Sequence, residues 1–181
     1  MPIIILVVVI VALLAFAWIS ISNGIVRAAN KCDNAWQTIE TQLQRRNDLI
    51  PNLVETDKGY AAHESGTLEA VTAARGAMSS ATTPEAKMEA SGQLTRALRG
   101  LLAVAEAYPD LKANANFQQL QADLADTENR ISYARQSYND VVMDYNNAIQ
   151  TFPGNIVAGG RAPKQGFAAD EDARQAPKVS F

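Results

Sequence analysis

The sequence is short of the residues on which most soluble chemistry rests. Its 181 residues include one cysteine and one histidine, so an intrachain disulfide and any cysteine-rich zinc module are excluded, along with most catalytic and metal-binding designs. There is no glycine-rich phosphate loop and no serine set in a nucleophile elbow. Basic residues, 16 against 19 acidic, leave a net charge of -3 and a pI near 5.2. That balance speaks against a nucleic-acid ligand, because neutralising phosphates needs clustered Lys and Arg. Charge of either sign is missing altogether before Arg27. The length allows a short apolar leader and one modest domain.

What fills the uncharged leader is hydrocarbon. Ile3 to Ile19 reads IIILVVVIVALLAFAWI, and the stretch from Pro2 to Ser22 reaches the roughly 20 residues that span about 30 Å of bilayer. Its Ile, Leu, Val and Phe residues each contribute about -0.3 to -0.6 kcal/mol to insertion, so the sum is roughly -5 kcal/mol. A membrane span is expected over residues 1–23, marked by Ile3, Val8, Leu13, Trp18 and Ser22, with the Trp18 indole at headgroup level. A cleaved signal peptide fits less well: Met1-Pro2 offers no basic start, the apolar run is too long, and no small-residue cleavage pattern follows it. A lipoprotein would need small residues before its cysteine, and Lys31 precedes Cys32. Arg27 and Lys31 flank the carboxyl end of the span, so the positive-inside rule puts the short amino terminus outside and the remaining domain in the cytoplasm of a bacterial inner membrane.

Beyond Arg27 the apolar residues fall three and four apart, which is the spacing of one helical face. Cys32, Trp36, Ile39, Leu43, Ile50 and Leu53 or Val54 form the first stripe. Pro51 should kink or briefly break it near Leu49, because proline removes a helical hydrogen bond and crowds the preceding turn. The pattern resumes through Ala61, Leu68 and Val71 to about Met78. Thr83, Pro84 and Glu85 then supply a cap, a first-turn proline and a dipole-matching acid for a helix from Pro84 to about Ala107. A last helix of roughly 36 residues carries Phe117, Leu120, Leu124, Thr127, Ile131, Ala134, Tyr138, Val141 and Tyr145 at alternating steps of three and four. That heptad seam predicts knobs-into-holes packing against partner helices. From Pro153 onward the sequence is rich in Pro and Gly and has no period, so residues 153–181 read as a tail that does not order by itself.

The expected fold is all-α: an amino-terminal transmembrane helix, then an elongated antiparallel up-and-down bundle of three to four long helices over residues 24–152.

Candidate sites are few. His63-Glu64 lacks the paired Glu-x-x-His pattern of a bundle metal centre, since Tyr60 stands where an acid is needed. No metal, cofactor or catalytic residue is therefore expected. Cys32 lies on the apolar stripe, where a buried structural thiol is the ordinary case. Tyr133, Tyr138 and Tyr145 read as packing residues with hydroxyls at the rim. The informative pair is Arg45-Arg46, because three residues on from Leu43 the stripe calls for an apolar side chain and meets Arg46 instead. Its guanidinium must reach water or an acid. Glu128, Arg130 and Arg135 flank the last seam, so Arg45, Arg46, Glu128, Arg130 and Arg135 form a candidate polar interaction stripe, with an Arg46–Glu128 pair as its central expectation.

Three blocks resemble a known family. AWQTIETQLQRRNDLIPNLVETDKGYAAHE from Ala35 to Glu64, EAYPDLKANANFQQLQADLADTENRISYARQSYNDVVMDYN from Glu106 to Asn146, and FPGNIVA from Phe152 to Ala158 are similar, in that order, to the LemA family of bacterial proteins. The resemblance implies a membrane-anchored helical bundle facing the cytoplasm, no enzymatic activity, and in some relatives partners of the TPM-domain type. Together with the residue pattern it supports a single-pass scaffold or interaction protein whose partners are the lipid bilayer, other copies of itself and a further protein of unknown identity. The alternative is a monomeric, membrane-tethered adaptor that recruits a soluble partner or senses a ligand between its helices.

Overall fold

The computed structural model describes residues 1–58 and 65–167. Within them the chain forms six helices and no strand: α1 (Pro2–Lys58), α2 (Ser65–Ser80), α3 (Pro84–Ala105), α4 (Pro109–Lys112), α5 (Ala115–Gln150) and α6 (Gly154–Val157). The fold is all-α, as the periodicities require. His63 and Tyr60, the Ala61 position of the stripe, and the tail from residue 168 on lie outside the described residues.

Packing divides the chain into two compact units, one built from Met1–Thr38 with Tyr133–Phe181 and one from Ile39–Ser132. Both α1 and α5 contribute to each.

In the first unit α1 begins with a surface no water-soluble helix carries. Ile3, Val8, Leu13 and Trp18 are 75%, 61%, 64% and 52% exposed, and none of the most apolar window of this helix is buried by protein. A helix satisfies its own backbone polar groups, and this one is long and apolar enough to cross a bilayer. Burial starts at Ile25 and continues through Cys32, against Val142, Tyr145 and Ile149 of α5 and Ala158 after α6. Gly154 opens α6 at a place where a Cβ would collide with the backbone carbonyl of Ala148. Only glycine lets the chain pass there.

The second unit is a conventional small core. Ile50 and Leu53 of α1, Val71 and Ala74 of α2, Leu94, Leu98 and Leu101 of α3, Leu111 of α4, and Phe117 and Leu124 of α5 close on one another. The α2–α3 connection ends at Thr83, whose hydroxyl accepts from the Ala86 amide at 3.2 Å, with Pro84 in the first turn and Glu85 behind it. Asn114 starts α5 in the same manner, its Oδ1 accepting from the amides of Asn116 and Phe117. Each such cap satisfies donors that a helix start otherwise leaves orphaned.

Four expectations need correction. Of the kink or short break expected near Leu49, the break does not occur: α1 runs through Pro51, because Ile50 and Leu53 on either side are 1% and 0% exposed and their burial outweighs one lost backbone bond. α3 ends at Ala105 rather than Ala107, and Pro109, with its fixed φ, starts the short α4. The seam of α5 drifts: Thr127, Ile131 and Ala134 are buried as heptad positions, but further on Val142 is buried at 3% while Val141 is only partly covered. An α-helix of 3.6 residues per turn slips about 20° per heptad, so Val142 joins the buried face here while the seam position Tyr145 stays buried at 4%. Tyr133 is 73% exposed and is not a packing residue. The tail has no period of its own, and its first part, up to Phe167, is held in place by side chains of α5.

Candidate interaction sites: a buried arginine and a clamped strap

Among the described residues of the second unit, one charged side chain lies in the interior. Arg46 is 1% exposed, set there by the helical register that places it beside Leu43 and Ile50. Its Nη1 donates to Glu128 Oε2 at 2.5 Å and to Thr95 Oγ1 at 2.9 Å. Its Nη2 donates to the Ser91 carbonyl at 3.1 Å and to Ser91 Oγ at 2.5 Å. One guanidinium thus ties α1 to α3 and α5. The ion pair is lopsided, since the Arg46 side chain is 2% exposed and that of Glu128 is 47% exposed. Water reaches the acid but not the base, so the hydroxyls and the carbonyl carry the desolvated side of the arginine. Thr127, fully buried next door, satisfies its own hydroxyl by donating to the Asp123 carbonyl at 2.7 Å.

The rest of the candidate stripe separates. Arg45 and Arg130 converge on Asp126, at 3.8 and 2.8 Å, with every side chain about half exposed. Pairs so wet contribute little to stability. Lys87 reaches Glu40 nearby, and with Gln44, Arg45 and Asp48 these residues line a shallow charged cleft. Arg135 belongs to the other unit, where it lies 5.3 Å from the ring centre of Phe167. The structure therefore brings Arg46 to Glu128 and Arg45 to Arg130's acid, while Arg135 lies beside Phe167. The span residues Ile3, Val8, Leu13 and Trp18 face outward along α1, with Ser22 partly covered where burial begins.

The first unit contains an arrangement that spacing in the sequence does not reveal. Residues 161–167 lie along α5 as a strap. Asn146 clamps the backbone of Lys164 twice, accepting from its amide and donating to its carbonyl, both at 2.9 Å. Asn139 does the same to Phe167, at 2.7 and 3.2 Å. Tyr145 donates to the Ala162 carbonyl at 3.2 Å. The clamped residues also place their side chains. Lys164 Nζ pairs with Asp33 at 2.5 Å and sits over the Tyr145 ring, and Phe167 packs on Tyr138 and Trp36 with ring centres 4.9 and 6.1 Å away. Burial pulls the Lys164 pKa down, but the hydrogen bond and charge of Asp33 more than offset this and leave it raised. The sequence signals were faint: two asparagines a heptad apart on a helix, and one aromatic residue in a segment otherwise lacking them.

Cys32 is fully buried and donates to the Val141 carbonyl at 3.3 Å. Burial first, then Asp33 and Asp144, raise its pKa despite the opposing charge of Lys164, so the thiol stays protonated at neutral pH and is a packing group. Among the described residues no group of three or more His, Cys, Asp or Glu side chains is placed to hold a metal ion.

Comparison with known proteins places this architecture. The model of the LemA family matches residues 35–181. The chain is 28% identical over 145 residues to Protein LemA of Metamycoplasma hominis, covering 79% of this chain and 66% of that protein. It is 27% identical to Magnetosome protein MamQ 1 of Paramagnetospirillum magneticum and 26% identical to Magnetosome protein MamQ of Magnetospirillum gryphiswaldense, covering 66% of this chain and 53% of each relative. The chain spans about two thirds of the length of the first relative and about half that of the magnetosome proteins.

Proposed function

The chain belongs to the LemA family and is a membrane-associated protein, and from that premise we propose that it is a single-pass anchored scaffold that assembles with copies of itself at the membrane. It performs no chemistry of its own; it holds a helical surface next to the bilayer for other proteins to meet. The observation that carries this reading is the continuity of α1. The helix that is bare hydrocarbon from Ile3 to Ile19 supplies, without interruption, the buried faces at Ile25 and Cys32 and then at Ile50 and Leu53. Within the first unit, the apolar leader and the buried face at Ile25 and Cys32 belong to one helix, with no flexible tether between them.

The short amino terminus lies outside and the helical remainder in the cytoplasm of a bacterial inner membrane, an assignment supported by Arg27 and Lys31 at the carboxyl end of the span. The adaptor reading needs an apolar cleft with a few convergent polar groups. The cleft beside Glu40, Arg45, Asp48 and Lys87 is open and lined largely by charged side chains.

Two differently tagged full-length copies, expressed together and extracted in mild detergent, test self-association: one tag should bring down the other. Recovery of each tag alone would refute assembly. A membrane-impermeant thiol reagent applied to intact cells should leave a cysteine introduced at Thr82 unmodified, and modification there would reverse the assigned orientation.

A further inference from the structure

The strap of residues 161–167 is bound to α5 the way a separate peptide would be. Its backbone is gripped by side chains rather than by a ladder or a helix, and the grips repeat. Asn139 and Asn146 are seven residues apart on α5, a rise of about 10.5 Å, while Phe167 and Lys164 are three residues apart on the strap, about 9–10 Å for an extended or polyproline-like chain. The two periods coincide, so positions two turns apart on one helix face hold every third residue of an antiparallel extended segment. Asparagine suits this task because its amide offers an acceptor and a donor side by side, matching the amide and carbonyl of one residue.

Specificity is added at the same positions. Asp33 and the Tyr145 ring select a cation at the first clamped residue, and Trp36, Tyr138 and Arg135 select an aromatic ring at the second. Gly166 is chosen as well: a Cβ there would stand 2.9 Å from Asn139 Oδ1, the atom that accepts from the Phe167 amide at 2.7 Å. Moving that oxygen aside would open the clamp. Gln165 between them is exposed and is not read.

We propose that this face is a reader of extended Lys-x-Gly-aromatic segments, and that the segment it takes from outside its own chain is the 161–167 strap of a second copy. The occupant rests on the self-association proposed above; the reader does not. A second copy fits by construction, since its strap brings the same cation, glycine and ring in the same order. Release is provided for by Gly159 and Gly160, both at positive φ (61° and 76°) directly before the strap, a place where the chain can turn without Cβ strain. Single-pass anchors confine copies to one surface, which raises the effective concentration of a neighbouring strap.

The probe is a fluorescent, end-capped synthetic peptide of residues 161–167, titrated by anisotropy onto the full-length chain in nanodiscs. The double variant Lys164→Glu with Phe167→Ala, whose own strap no longer competes, should bind the peptide at least tenfold tighter than the wild type. Adding Asn139→Ala and Asn146→Ala should abolish binding, and an alanine at the peptide's glycine should weaken it at least tenfold. Equal binding by wild type and double variant, or indifference to the asparagines, would overturn the reader. If the double variant loses its helical circular dichroism, Gly166→Ala in the chain serves as the milder strap-loosening variant, with the same expectation. For the occupant, a benzophenone amino acid at position 167 in one tagged copy, reconstituted with a differently tagged copy, should cross-link between tags. Cross-links confined to single chains in a sample that co-purifies as an assembly would overturn strap exchange and leave the scaffold standing. Peptide capture in a sample without assembly would support the reader and count against the scaffold.

Discussion

The two units solve the same problem, fixing α1 against α5 and its neighbours, in opposite ways. In the Ile39–Ser132 unit the Arg46 guanidinium is buried, and its bonds to Thr95, Glu128 and Ser91 run between helices. In the other unit the bonds that hold the strap lie at the rim and run from helix side chains to the backbone of a non-helical segment. A desolvated charge concentrates its energy at one residue, because any partner removed leaves a cost that water cannot repair. Rim bonds spread a smaller energy over several residues that solvent can replace. The first arrangement specifies a register, and the second permits release.

The sharpest way to break this contrast is Arg46→Ala. It empties the interior position and leaves Ser91 and Thr95 without their donor, and should destabilise the unit by about 2–5 kcal/mol through the cavity and the lost bonds, read as a lowered midpoint in guanidinium unfolding of the detergent-solubilised chain. Arg46→Met, Glu128→Gln and their combination should depart from additivity by about 0.5–3 kcal/mol. Additive changes would mean that Glu128, half in water, contributes nothing to the arginine.

In the other unit the largest single effect should come from Gly154→Ala, where the added carbon meets backbone rather than a side chain that can swing away. An overpacking cost of about 1–3 kcal/mol is expected, measured by thermal melting. Asn139→Ala should cost less, about 1–2 kcal/mol for two hydrogen bonds, and its effect should be local. Amide hydrogen exchange should rise in residues 161–167 while the protection of α5 is unchanged. Thr83→Ala, a rim bond in the unit with the buried charge, should cost about 1 kcal/mol. A Thr83 effect as large as that of Arg46 would erase the distinction between interior and rim.

Much of this was legible in the chain before any coordinates. The absence of charge before Arg27 marks the anchor, and the cap at Thr83-Pro84-Glu85 marks a helix start, because these signals are local. Arg46 was legible for a related reason, as a charge in an apolar register. What could not be read depends on tertiary choice. Pro51 stays helical because Ile50 and Leu53 are buried on both sides of it. The shift from Val141 to Val142 arises from the small mismatch between 3.6 and 3.5, which a pattern of residue types tolerates either way. Asn139 and Asn146 look like ordinary solvated positions on α5, since their partners are backbone atoms of a segment with no periodicity. Polar residues whose partners are main chain leave no complementary mark in the sequence.

As proposed above, α1 is one helix that is lipid-embedded at its start and packed into protein further on. Nitroxide labels placed singly at Val8, Leu13 and Thr41 of the full-length protein in bilayers test this by their relaxation with oxygen and with a water-soluble nickel chelate. Val8 and Leu13 should be accessible to oxygen and shielded from nickel, with the order reversed at Thr41. Nickel accessibility at Val8 and Leu13 equal to that at Thr41 would contradict the account.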